Sequence, residues 1–164
     1  MKHVLLAIVL AALSPSLGRA QSARDIVVAY NTGWRFSIAP GLLISDGEVG
    51  FSIAGDVRYG FEVGPLILAP GARVAGYFPP GFWALTGLAT GRITYPLGPV
   101  GPYLVGGIGP GYLSEPAQAG AAYLGGGGLM IHVGTSFAFG AELTYFGITG
   151  TDFRAFGPSL LLMF

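Results

Sequence analysis

The chain has 164 residues, of which 10% are charged and 52% apolar, with 29 glycines and no cysteine. Soluble domains carry about 25% charged residues and about 7% glycine, so water-facing charge is not what holds this chain in place. The missing cysteines exclude a disulfide framework and a lipoprotein attachment.

The amino terminus opens with Lys2 and His3, continues through the unbroken apolar run Val4 to Leu13, and is broken by Ser14-Pro15 before the small residues Gly18 and Ala20. That order predicts a secretory signal peptide over residues 1–20, cleaved after Ala20, with the mature chain over 21–164. The apolar run is too short for a spanning helix, which needs about 20 residues. Beyond residue 20 the chain holds six arginines, eight carboxylates and no lysine, a formal charge of minus 2. Without clustered basic residues it is not a nucleic-acid binder.

In the mature chain the dominant signal is alternation. From Val49 to Gly64 the odd positions include Val49, Phe51, Ile53, Val57, Tyr59, Phe61 and Val63, and the even ones include Ser52, Asp56, Arg58 and Glu62. Every large apolar residue falls on one face and every charge on the other, as in a strand with one greasy side. The pattern recurs at Trp34–Phe36–Ile38, at Leu85 to Tyr95 and at Phe137 to Tyr145. Turn signals such as "SDGE", "VGP", "FPPG" and "SEPAQAG" separate the runs. Strands are expected at about 33–45, 48–63, 66–78, 83–97, 102–113, 121–133, 137–147 and 153–164. Each is long enough for a tilted strand to cross a bilayer, for which about 9 to 11 residues suffice. The fold class is therefore all-β, an eight-stranded antiparallel up-and-down barrel.

A soluble barrel and a membrane barrel share this pattern with inside and outside exchanged. Three features point the apolar face toward lipid. The polar face is made of small residues, as a tight lumen requires. Aromatic residues crowd the expected turns, among them Trp34, Tyr59, Phe61, Phe78, Phe82, Trp83, Tyr95, Tyr103, Phe137 and Tyr145, as in interfacial girdles. The last strand carries Phe156, Leu160, Leu162 and Phe164 on one face and ends on that aromatic.

With its signal peptide, its eight alternating segments, its "GPYLVGGIGPGY" stretch at 101–112 and its terminal Phe164, the chain resembles the small OmpA/OmpX-type outer-membrane β-barrels. The resemblance implies localisation in the cell outer membrane, contact with outer-membrane lipid, and recognition of Leu160, Leu162 and Phe164 as an assembly signal by the barrel-assembly machinery. The expected outer loops are shorter than those of adhesins of this type, which weighs against cell adhesion. Some barrels of this size hydrolyse lipid A acyl chains with a His-x-Ser pair and a carboxylate on a neighbouring strand. Here Val133 and Gly134 follow His132 and Ser136 falls in a turn, so no catalytic residue is expected.

No spacing of acids and histidine suits a metal, and no cofactor motif is present. The in-facing charges Arg35, Asp56, Arg58, Glu62, Arg73, Arg92 and Glu142 read as an ion-pair network filling the lumen, since eight strands enclose only enough space for side chains. The alternative is a polar path or gate. A two-residue turn at Gly64-Pro65 sets Asp56 opposite Arg73 and Glu62 opposite Ile67. The expectation is a monomeric, non-enzymatic barrel with a structural or surface-interaction role, its rivals being a lipid-modifying enzyme and a narrow pore.

Overall fold

The computed structural model describes residues 17–133 and 137–164, with side chains from Arg24 onward. The apolar run Val4 to Leu13, together with Gly134 and Ser136, lies outside the described residues. A helix, α1 (Leu17–Asn31), precedes eight strands: β1 (Gly33–Ser45), β2 (Glu48–Val63), β3 (Leu66–Phe78), β4 (Ala84–Thr94), β5 (Val100–Leu113), β6 (Gln118–Val133), β7 (Phe137–Ile148) and β8 (Arg154–Met163). Each strand pairs antiparallel with its neighbours in sequence, and β8 returns to β1 to close the barrel.

Two boundaries differ from the alternation by three residues, and β5 begins two residues early, at Val100. β4 stops at Thr94 because Pro96 has no N–H to continue the ladder; a short bridge between Leu97 and Val100 makes the turn instead. β6 starts at Gln118, three residues early, because the compact connection at 114–117 lets Gln118 pair with Leu113. Its glycines hide the face that sequence periodicity needs.

Strand parity sets the two faces. Ile53, Val74, Leu85, Ile108, Leu143 and Leu160 point outward and are exposed, whereas Ala54, Ala75, Val105, Leu124 and Leu161 point inward and are buried. The outward surface is an apolar belt with Trp34 and Tyr59 packed edge to face at one rim and Trp83 against Tyr112 at the other. A closed ladder leaves no unpaired strand edge, which is the condition for a sheet to sit in hydrocarbon. The shortest strand, 10 residues, rises about 33 Å along its axis and about 25 Å across a barrel at ordinary tilt, the height of such a belt.

The helix was not visible as an alternation. In α1, Val27, Tyr30 and Asn31 are buried, an i, i+3, i+4 face that enters the barrel at the end where β1 begins and β8 ends. The Tyr30 hydroxyl donates to the Met163 carbonyl, and Arg35 donates to the carbonyls of Tyr30 and Ala29. Gly60 makes the docking possible, since a Cβ there would strike the Asn31 carbonyl. The expected cleavage point, after Ala20, falls inside α1, and the residues that grip the barrel lie beyond it.

Candidate functional site

The lumen is filled in three layers. At the end where β1 begins and β8 ends is the plug made by α1. His132, buried on β6, sits with its Nε2 2.8 Å from the Asn31 Nδ2, and Tyr30 packs edge-on against its ring. Asn31 Nδ2 donates to the Val27 carbonyl as well as facing Nε2, so Nε2 acts as acceptor and Nδ1, 3.3 Å from the Pro99 carbonyl, as donor.

The middle layer is ionic and is organised by Glu142 of β7. Its carboxylate accepts from Arg73 of β3 at 2.7 Å, from Arg92 of β4 at 3.2 Å and from the Tyr103 hydroxyl of β5 at 2.9 Å. Arg92 also lies over the Tyr103 ring, 3.9 Å from its centroid. Asp56 of β2 is a weaker partner: the Arg73 Nε stands 3.9 Å away, and the Ser37 hydroxyl donates at 3.4 Å. Arg58 donates to that same hydroxyl. Three guanidiniums and two carboxylates thus lie in one layer, Arg73 and Arg92 pairing with the carboxylates and Arg58 with Ser37, all nine-tenths or more buried, at a depth where unpaired charge is costly and paired charge is tolerated. Gly128, opposite Glu142 on β6, leaves room for this layer; a Cβ there would lie 2.6 Å from the Tyr103 hydroxyl.

The third layer is aromatic. Tyr77 stacks on Phe146 with centroids 3.9 Å apart, and Phe153 packs against Tyr77, Phe146 and Phe82. Between it and the ionic layer is a void of about 10 Å³ beside Ser159, the space of a single water.

The structure brings together five of the seven charges expected in the network: Asp56, Arg58, Arg73, Arg92 and Glu142. Asp56 does face Arg73 in register, but the short bond of Arg73 runs across the lumen to Glu142. Arg35 and Glu62 stand apart. Arg35 is captured by the carbonyls of α1, and Glu62, exposed at the rim, pairs with Arg24 at 3.5 Å. Both corrections have one cause: α1 brings backbone acceptors and a cation to the rim where these side chains emerge.

Two aromatics expected in the girdles also point inward. Tyr103 belongs to the ionic layer by parity, and Phe82 folds over the aromatic layer from the β3–β4 connection. Leu160 and Phe164 are exposed on the outward face, and the Phe164 backbone exchanges two hydrogen bonds with Phe36 across the closing seam. Tyr30, Asn31 and Phe153 were missed. The apolar spacing of Val27 and Tyr30 was the available signal for the first two.

No protein-family model and no curated protein matches this sequence. Solved structures do match its fold. Neisserial surface protein A (NspA) superposes with a TM-score of 0.60 at 15% identity, covering 79% of this chain and 94% of its own. The outer-membrane enzyme PagL gives 0.55 at 14%, covering 79% and 97%. Ail, the attachment invasion locus protein of Yersinia pestis, gives 0.55 at 16%, covering 80% and 97%. At such identities the likeness concerns architecture. Together with the closed ladder and the apolar belt, it defines the chain as an eight-stranded transmembrane β-barrel. The same architecture is seen in the outer-membrane barrels NspA, PagL and Ail.

Proposed function

We propose that this protein is a non-enzymatic barrel of the outer membrane, exported by a signal peptide cleaved after Ala20, with a sealed lumen and a structural or surface-interaction role at its loop end. The observation that carries the reading is the filling of the lumen. The α1 plug, the Glu142-centred ion layer and the aromatic stack follow one another along the axis, which supports a plug over a pore.

The residues that a lipid hydrolase would use are otherwise engaged. His132 is held by Asn31 and Pro99, and Glu142 by two arginines and a tyrosine, so no described base is positioned to activate a hydroxyl. Among the structural neighbours PagL is an enzyme, whereas NspA is a surface protein and Ail an attachment invasion locus protein by name. In this reading the α1 end, where β1 begins and β8 ends, faces the periplasm and the four connections at the other end face outside. The belt meets outer-membrane lipid, and the barrel-assembly machinery reads Leu160, Leu162 and Phe164.

Single-channel recording from the protein in planar bilayers, paired with the mass of lipid A after overexpression, tests this reading. It predicts no conductance steps and unchanged lipid A. Regular steps would establish a pore, and loss of an acyl chain would establish an enzyme.

A further inference from the structure

The loop end of the barrel is not flat. Above the aromatic layer it opens into a cavity of about 490 Å³ whose walls come from all four connections, within the size range of small-molecule sites. Phe82 and Phe153 form its floor, supported from below by Tyr77 and Phe146. The walls are tied together: Gln118 donates to the Gly150 carbonyl, the Ala121 N–H donates to the Thr149 hydroxyl, and Ser45 donates to the Arg154 carbonyl.

Charge decides what such a cup accepts. Asp46, Glu48, Glu115 and Asp152 line it, no basic side chain does, and none of the four meets a cation within 4.0 Å among the described residues. The base nearest in sequence, Arg154, is exposed on the outward face by strand parity. Four carboxylates of one sign around a concave mouth concentrate cations, and phenyl rings at the base give an organic cation an apolar surface and an aromatic partner. A bare metal ion would use the carboxylates and leave the aromatic floor without a role.

From the cavity and its aromatic floor we infer that the outer mouth is a binding site for a small organic cation, an ammonium or guanidinium group carried on an apolar body. The inference rests on the loop end facing outside in the proposed function, and it gives the surface-interaction role a ligand class.

The test uses the mature chain refolded in zwitterionic phosphatidylcholine nanodiscs, with phenethylammonium as probe and phenylacetate and calcium alone as comparisons. Calorimetry is expected to show saturable, salt-sensitive binding of phenethylammonium and none of phenylacetate. The exposed pair Glu115→Gln with Asp152→Asn is expected to weaken binding by about tenfold or more, and Phe82→Ala to weaken it as well.

Folding of every sample is read separately, from the difference in gel mobility between heated and unheated protein. A chain that forms no barrel overturns the outer-membrane reading. A folded barrel that takes up no phenethylammonium overturns this inference alone. Calcium binding that displaces the probe and is indifferent to Phe82→Ala also overturns it, reducing the mouth to a carboxylate cluster.

Discussion

Replacing Glu142 with glutamine keeps the shape of the side chain and removes the charge on which the ionic layer turns. Two charge-assisted hydrogen bonds, from Arg73 at 2.7 Å and Arg92 at 3.2 Å, lose their anionic acceptor. The lumen charge rises as well, with three guanidiniums left to Asp56 alone. Hydrogen bonds to charged groups contribute about 1.5–3 kcal/mol each, and breaking a buried pair costs about 3–5 kcal/mol; both routes give a loss near 4 kcal/mol. At a urea slope of about 2 kcal/mol/M, the unfolding midpoint in lipid vesicles, followed by tryptophan fluorescence, should fall by about 2 M. Asp56→Asn removes a buried carboxylate whose nearest cation is 3.9 Å away and whose one hydrogen bond, from Ser37, is long, and its loss should be about 2 kcal/mol. If Asp56→Asn costs as much as Glu142→Gln, the claim that Glu142 organises the lumen is wrong. Register alone suggests that exchanging charges, Asp56→Arg with Arg73→Asp, restores stability. The observed geometry predicts no rescue, because the new carboxylate at position 73 would face Glu142.

Further outcomes follow from the same layers. Among the described residues Arg58 has no carboxylate within 4.0 Å and only Ser37 as acceptor, so Arg58→Met should cost less than about 1 kcal/mol in the same unfolding assay, and a loss above 3 would show an essential pairing. Gly60→Ala should expel α1 while leaving the barrel folded, seen as chymotrypsin cleavage after Tyr30 in the variant and protection in the parent; protection in both would mean that α1 does not depend on Gly60. Phe164→Ala keeps both backbone bonds to Phe36 and should lower outer-membrane yield while barely changing refolding in detergent. Equal losses in the two assays would make Phe164 a packing residue and remove its role as an assembly signal.

The strands were legible in the sequence because parity is a local property: once Val49 to Gly64 puts apolar residues on odd positions, the faces of its neighbours follow from register. The Asp56–Arg73 alignment is one such consequence of the turn at Gly64-Pro65. The partners across the lumen were not legible. Glu142 lies four strands from Arg73 around the barrel, and only closure brings them together. Nor could parity show that Arg35 and Glu62 leave the lumen, because α1, which captures the first and supplies Arg24 to the second, follows the helical period. Tyr103 was read as a girdle residue from its closeness to a turn, while the glycines around it, at 106, 107 and 109, hid the face to which it belongs.

The central claim is that the apolar face of the sheet meets lipid and the charged face meets itself. Because the chain has no cysteine, a single engineered cysteine carries a unique spin label, and its accessibility to oxygen and to a water-soluble nickel complex reports its surroundings in vesicles. Labels at the outward positions Ile53 and Val74 should be reached by oxygen and shielded from nickel, while labels at the inward neighbours Ala54 and Ala75 should be shielded from both. Nickel access at Ile53 and Val74, or recovery of the mature protein as a soluble monomer, would contradict the account.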